Sequence, residues 1–189
     1  MNEHALDQLR HHVGRGVEDV LVGGGDRLTP GVLHLQPRPA FPHALAGSSL
    51  GVELGGPFHS GRGGPGGWWI LDEPELHFGA DVLVPDIAGW RRERMPAFPD
   101  APWTALAPDW LCEVLSPGTR RFDLTDKRRL YAAAGVAHLW LVDPIARTLE
   151  AFALQDGRWV LLAALKDDEA VRLAPFEAIS FPLSTLWPD

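Results

Sequence analysis

The 189 residues are 46% hydrophobic and carry eight tryptophans, enough for one substantial core and short for two, so a single domain spanning 1–189 is expected. A formal net charge of −8 argues against a protein that coats nucleic acid through a general basic excess, although local basic patches stay open. The lone Cys112 excludes an internal disulfide, no apolar run approaches the ~20 residues of a membrane span, and the start "MNEHALDQLRHH" is too polar for a secretory signal. A cytoplasmic protein without a membrane partner is the expectation.

In chain order, residues 1–42 are rich in Gly and Pro ("VGGGD", "QPRPAFP") and are assigned no more than a short helix followed by irregular chain or an edge hairpin. "HALAGSSLGVEL", from His43 to Leu54, is compatible with a helix, and the glycines of "GGPFHSGRGGPGG" end it in a loop. "WWIL", "ELHF" and "DVLVPDIAGW" read as three strands, and the prolines of "RRERMPAFPDAPWTALAPD" read as loop. The run around Trp110–Leu115 is apolar on both faces, as in a strand at the centre of a covered sheet. After "SPG", a helix is predicted from about Asp123, a candidate cap, to Ala134, stopped by Gly135. "AHLWLVD" follows as a strand, and the order strand, helix, strand predicts a crossover between parallel neighbours. "RTLEAFAL" and "GRWVLLAAL" flank "QDG" as a hairpin, and "APFEAISFPLSTLW" packs back as a tail.

Three ionisable residues interrupt apolar patterns. Glu113 stands in the middle of the apolar strand, where an unpaired carboxylate costs several kcal/mol in order of magnitude. On the following helix, Leu124, Lys127, Leu130, Tyr131 and Ala134 are three or four apart and share one face, so Lys127 lies on the buried side with Glu113 as the nearest anionic partner. The alternative is a lysine whose stem snorkels over the core edge. Asp86 ends an alternation with Val82 and Val84 on one strand face, Pro85 suiting an edge or bulge; taken alone it reads as a turn residue. Two acidic oxygens with backbone carbonyls are what Mg²⁺ binds, Mn²⁺ serving as its substitute, and a neighbouring ammonium can orient water or stabilise charge on a phosphate.

This pattern resembles the PD-(D/E)XK nuclease superfamily. More specifically, "LVPDIAGW", "CEVLSP", "DLTDKRRLYAAAGV" and "HLWLVDP", in that order, are similar to the Uma-type family of candidate restriction endonucleases, over about His43–Trp187. The resemblance implies an α/β, restriction-endonuclease-like core: a mixed central β-sheet flanked by helices, with the C-terminal hairpin attached. It further implies Asp86 as the aspartate of the "PD" motif and Glu113 as the second acid, both holding the metal. Leu115 occupies the position of the superfamily lysine, and the resemblance assigns that catalytic role to Lys127 on the next helix. The function implied is Mg²⁺-dependent hydrolysis of phosphodiester bonds in nucleic acid, with DNA the expected partner and a homodimer allowed.

Other residues are secondary. Glu53 matches an acid that some superfamily members contribute from the first helix, or is an exposed helical glutamate. Ser116 is close enough in sequence to touch the site, though "SPG" explains it as a turn. Glu75 and Asp81 flank strands and are expected to face solvent, and His43 resembles a recurring family position of unassigned role. Arg91, Arg92, Arg120, Arg121 and Arg128 are candidate nucleic-acid contacts, against the plainer reading of solvated charges. Two rival functions remain: an inactive nuclease fold kept as a DNA-binding or interaction module, and a metal-dependent hydrolase of a small phosphate compound.

Overall fold

The computed structural model describes residues 40–188, so the expectations for residues 1–39 lie outside the described residues. A helix, α1 (Phe41–Leu54), starts with Pro42 in its first turn, where the missing N–H costs no hydrogen bond. It buries Ala46, Leu50 and Leu54, a stripe at helical spacing. The glycine-rich stretch after it was expected to be loop throughout, but Gly55–His59 continue as a π-helical turn. Phe58, buried in the core, anchors that turn, and Ser60 N–H donates to Gly55 O at 2.9 Å to close it.

Strands β1 (Trp68–Asp72), β4 (Ile87–Arg91), β6 (Trp110–Val114), β7 (His138–Asp143), β8 (Thr148–Gln155) and β9 (Arg158–Lys166) form one sheet in the order β1-β4-β6-β7-β8-β9. Only the β6–β7 pair is parallel, as the strand-helix-strand order predicted; β8 and β9 form the predicted hairpin, turning at Asp156-Gly157. Strands β2 (Glu75–Phe78), β3 (Asp81–Leu83) and the two-residue β5 (Trp103–Thr104) make a second, small sheet. Short strands β10 (Ala170–Val171) and β11 (Phe181–Pro182) and a 3-10 turn, Leu183–Leu186, return the tail to the core.

Three boundaries differ from expectation. "DVLVPDIAGW" is two strands in two sheets, because Pro85 has no amide to donate and the chain bends there, leaving Asp86 in the bend just before β4. The proline-rich connection contains β5, paired in parallel with β2. The second helix, α2, begins three residues before Asp123: Arg120–Phe122 is α-helical, Asp123–Lys127 π-helical and Arg128–Ala134 α-helical again. Asp123 therefore lies inside the helix, buried, and does not cap it. Gly135 ends it with φ 80°, a left-handed conformation suited to glycine.

The large sheet separates two apolar layers. On one face Trp110, Cys112 and Val114 of β6 pack with α1 and the tail. On the other, Leu111 and Leu115 pack with Tyr131 of α2 and with Val136. Glu113 shares the parity of Leu111 and Leu115, so it points into the α2 layer.

Candidate active site

Glu113 is buried on a strand hydrogen-bonded on both sides, so its carboxylate must be satisfied by side chains from above. Helix α2 supplies them. Lys127 Nζ donates to Glu113 Oε2 at 2.9 Å, and Tyr131 O–H donates to Glu113 Oε1 at 2.5 Å. One helical turn earlier, Asp123 Oδ1 lies 3.1 Å from Lys127 Nζ without a hydrogen-bonding angle, and is otherwise unpartnered. Residues 123, 127 and 131 thus project down one line of the helix, and all three are buried.

Asp86 joins from the bend just before β4. The Ile87–Cys112 pair ends the β4–β6 register, and one step beyond it Asp86 stands against β6, its Oδ2 accepting the Val114 amide at 2.7 Å. Its other oxygen, Oδ1, lies 3.2 Å from His43 Nε2 at the start of α1. Asp86 and His43 have side chains 22% and 16% exposed, whereas Lys127 and Glu113 are at 6% and 2%. Solvent and any substrate therefore approach from the Asp86 side.

Three carboxyl groups surround one ammonium. Burial pushes the Glu113 carboxyl up to about 8 against the pull of Lys127, with Asp86 and Asp123 adding to the rise. Burial also opposes the Lys127 charge, but Glu113 and Asp123 outweigh it and hold the ammonium above the ordinary lysine range. The Tyr131 hydroxyl is raised well above its usual value by burial and by Glu113, so it stays a donor. The hydrogen bond to Asp86 raises His43 despite burial.

The secondary candidates are dispersed. Glu53 lies ten residues beyond His43 on α1, about 15 Å along the helix axis, and forms no ion pair or side-chain hydrogen bond with the cluster among the described residues. Ser116 serves the turn: its Oγ lies 2.9 Å from Thr119 Oγ1, and its carbonyl accepts the Arg120 amide at 2.8 Å. Arg120 and Arg121 start α2 at the sheet end that carries Asp86, and Arg120 pairs with Asp143 at the end of β7. Burial pushes the Asp143 carboxyl up, but the Ala146 amide and Arg120 outweigh it and hold the group below the usual carboxylate range. Arg128 packs its guanidinium over Phe152. Arg91 and Arg92 are at the opposite end of β4, about 17 Å from Asp86, stacked on Trp68 and Trp69.

By sequence alone Tyr131 is part of an apolar stripe, Asp123 a candidate cap and His43 a position of unassigned role; the 123, 127, 131 spacing is the signal that points to the first two. As a metal site, the donor set is mixed. Asp86 and Glu113 are hard carboxylates on one end of adjacent strands, which suits Mg²⁺ or Mn²⁺. No group of three or more His, Cys, Asp or Glu side chains is gathered for a metal among the described residues. The two-acid set fits a cation that draws its remaining ligands from backbone and water.

The fold recurs in a solved structure described as a "putative nuclease belonging to DUF820 from Anabaena variabilis ATCC 29413": TM-score 0.65, 22% identity, covering 84% of this chain and 87% of that one. No curated protein matches. The family model Uma2, described as "Putative restriction endonuclease", matches residues 28–184, and the chain belongs to that family.

Proposed function

We propose that this protein is a metal-dependent endonuclease that hydrolyses phosphodiester bonds of nucleic acid, DNA in the first instance, at a site made by Asp86, Glu113 and Lys127. The observation that carries the reading is the buried Lys127–Glu113 pair, 2.9 Å apart, standing beside Asp86 at one end of the sheet. Asp86 and Glu113 would hold Mg²⁺ or Mn²⁺, which when bound would offset negative charge on the phosphate. Lys127 holds the Glu113 carboxylate in one orientation and presents a cation to the charge that develops on the phosphate. Tyr131 fixes the other Glu113 oxygen, and the apolar layer around the pair excludes water, which strengthens each of these interactions. Arg120 and Arg121, at the same sheet end, suit flanking backbone phosphates.

The test is calorimetry with Mn²⁺ together with plasmid cleavage in Mg²⁺. Wild type is expected to bind Mn²⁺ and cut, the double variant Asp86→Ala, Glu113→Ala to do neither, and Lys127→Met to bind metal while losing at least ~10²-fold in cleavage. Equal Mn²⁺ uptake by wild type and the double variant removes the metal site; Lys127→Met activity within a few-fold of wild type removes the lysine from the chemistry.

A second reading is favoured by one fact: both Glu113 oxygens already accept hydrogen bonds, from Lys127 and Tyr131, as in a structural ion pair. Under that reading the protein binds nucleic acid without cutting it. Gel-shift binding by wild type with no Mn²⁺ uptake would decide for it.

A further inference from the structure

Between β1 and β4 on the α2 face and the loop joining β4 to β5 lies a cavity of about 400 Å³. Trp90 forms its wall, and Phe98 and Trp103, 52% and 40% exposed, stand at its mouth with Asp72 and Glu75. The catalytic reading leaves this cavity unused. It nevertheless adjoins that site: Asp72 pairs with Ile87, and the Glu73 amide donates to Asp86 O at 3.0 Å. Trp90 is four residues along β4 from Asp86, about 13 Å away.

We propose that this cavity receives one unpaired nucleobase of the strand whose backbone lies at Asp86. The inference rests on the nuclease reading and narrows its substrate to strands that offer an unstacked base. Three features select a base over other occupants. The aromatic rings are held before any ligand arrives: His77 stacks on Trp103 at 4.3 Å and 5°, and Glu75 Oε1 holds His77 Nε2 at 2.6 Å. Phe98 likewise leans on Trp69 at 4.7 Å, and Trp69 is fixed by Arg92 over its ring and by its own N–H to Met95 O. Such pre-set planar surfaces suit the π-face of a base, whichever base it is. The volume lies within the range of small-molecule sites, large enough for a base with its sugar. The Glu75 carboxylate, one oxygen held by His77, repels phosphate and leaves Oε2 to accept from an exocyclic amino group, so the base edge enters and the backbone stays outside.

The experiment uses the full chain in EDTA, where cleavage does not consume the probe. A short single-stranded DNA carrying 2-aminopurine reports stacking by its quenching, and a duplex of the same length serves as comparison. Wild type is expected to quench the single strand. Trp103→Ala and Phe98→Ala should each weaken that binding about 5- to 100-fold, the size of one base–aromatic stack, with duplex affinity unchanged. Trp103→Phe, which keeps a ring, should retain both binding and quenching. Both residues are exposed, so the core is not at risk. Equal losses on single strand and duplex, or none on the single strand, overturn the base pocket and leave the nuclease reading standing on plasmid cleavage. Binding of no single strand by wild type likewise overturns the base pocket, while plasmid cleavage in Mg²⁺ decides the nuclease reading on its own.

Discussion

The ionisable cluster sets an imbalance that a single residue can reveal. Asp86, Glu113 and Asp123 bring three acids to one ammonium, and the most buried strand position keeps its proton longest, with Glu113 up to about 8 against an ordinary 4.5. Between those two pH values the folded chain binds more protons than the unfolded chain, so the contribution to stability is full below the lower value and is lost as pH rises through the upper one. For one proton the slope reaches ~1.4 kcal/mol per pH unit. Lys127, raised further, stays charged across that window, and Asp143, lowered, has already ionised. Metal-free melting temperatures measured from pH 5 to 8 should therefore fall in wild type and fall less steeply in Glu113→Gln, in which the raised His43 still titrates; that variant should melt no lower than wild type at pH 8. A variant that melts several degrees lower at every pH would mean that the ionised Glu113–Lys127 pair holds the fold together.

At the scale of elements, α2 and β4 do the positioning. The π-helical segment Asp123–Lys127 widens the helix where two of the three buried polar residues sit, and such segments are frequent at functional sites. The α-helical part then carries Tyr131 onto the same line and ends at Gly135. Strand β4 is squeezed against its neighbours at Gly89, where an added Cβ would meet Ile70 Cδ1 at 3.1 Å and the Trp68 and Trp110 rings at 3.3 Å each. Indole rings packed in a core yield little, so Gly89→Ala should destabilise by ~1–3 kcal/mol, read as a lower urea midpoint with unchanged slope. An unchanged midpoint would show that the β1–β4–β6 contact opens without cost.

Across the whole molecule, the tail closes the layer opposite the candidate site. Phe176 sits among Phe58, Trp68, Trp110 and Trp140, with ring centroids 4.6 to 5.7 Å away, and Trp140 N–H donates to Ala174 O. One ring thus joins α1's π turn, three strands and the C-terminal segment. Phe176→Ala should cost ~3–5 kcal/mol and lower the melting temperature by roughly 10 °C, because the cavity it leaves is walled by side chains from separate elements. A drop of only a degree or two would mean that the tail collapses into the space. Since Cys112 and Val114 face this layer while Glu113 faces the other, such a loss should reach cleavage only through stability.

The sequence by itself determined the pieces whose information is local. An apolar run interrupted by Glu113 marked a central strand with a polar task, helical spacing put Lys127 on the buried stripe, Gly135 set the helix end, and "QDG" placed the hairpin. Periodicity and turn chemistry act within a few residues, so they are visible in one dimension. Tertiary structure alone decided that Pro85 divides "DVLVPDIAGW" between two sheets, that Asp123 turns inward to Lys127, that the Tyr131 hydroxyl reaches Glu113, and that His43 meets Asp86 from the far layer. Each of these depends on register and layer assignment between segments distant in the chain, where a side chain's partner is set by which elements pack together and not by its own spacing.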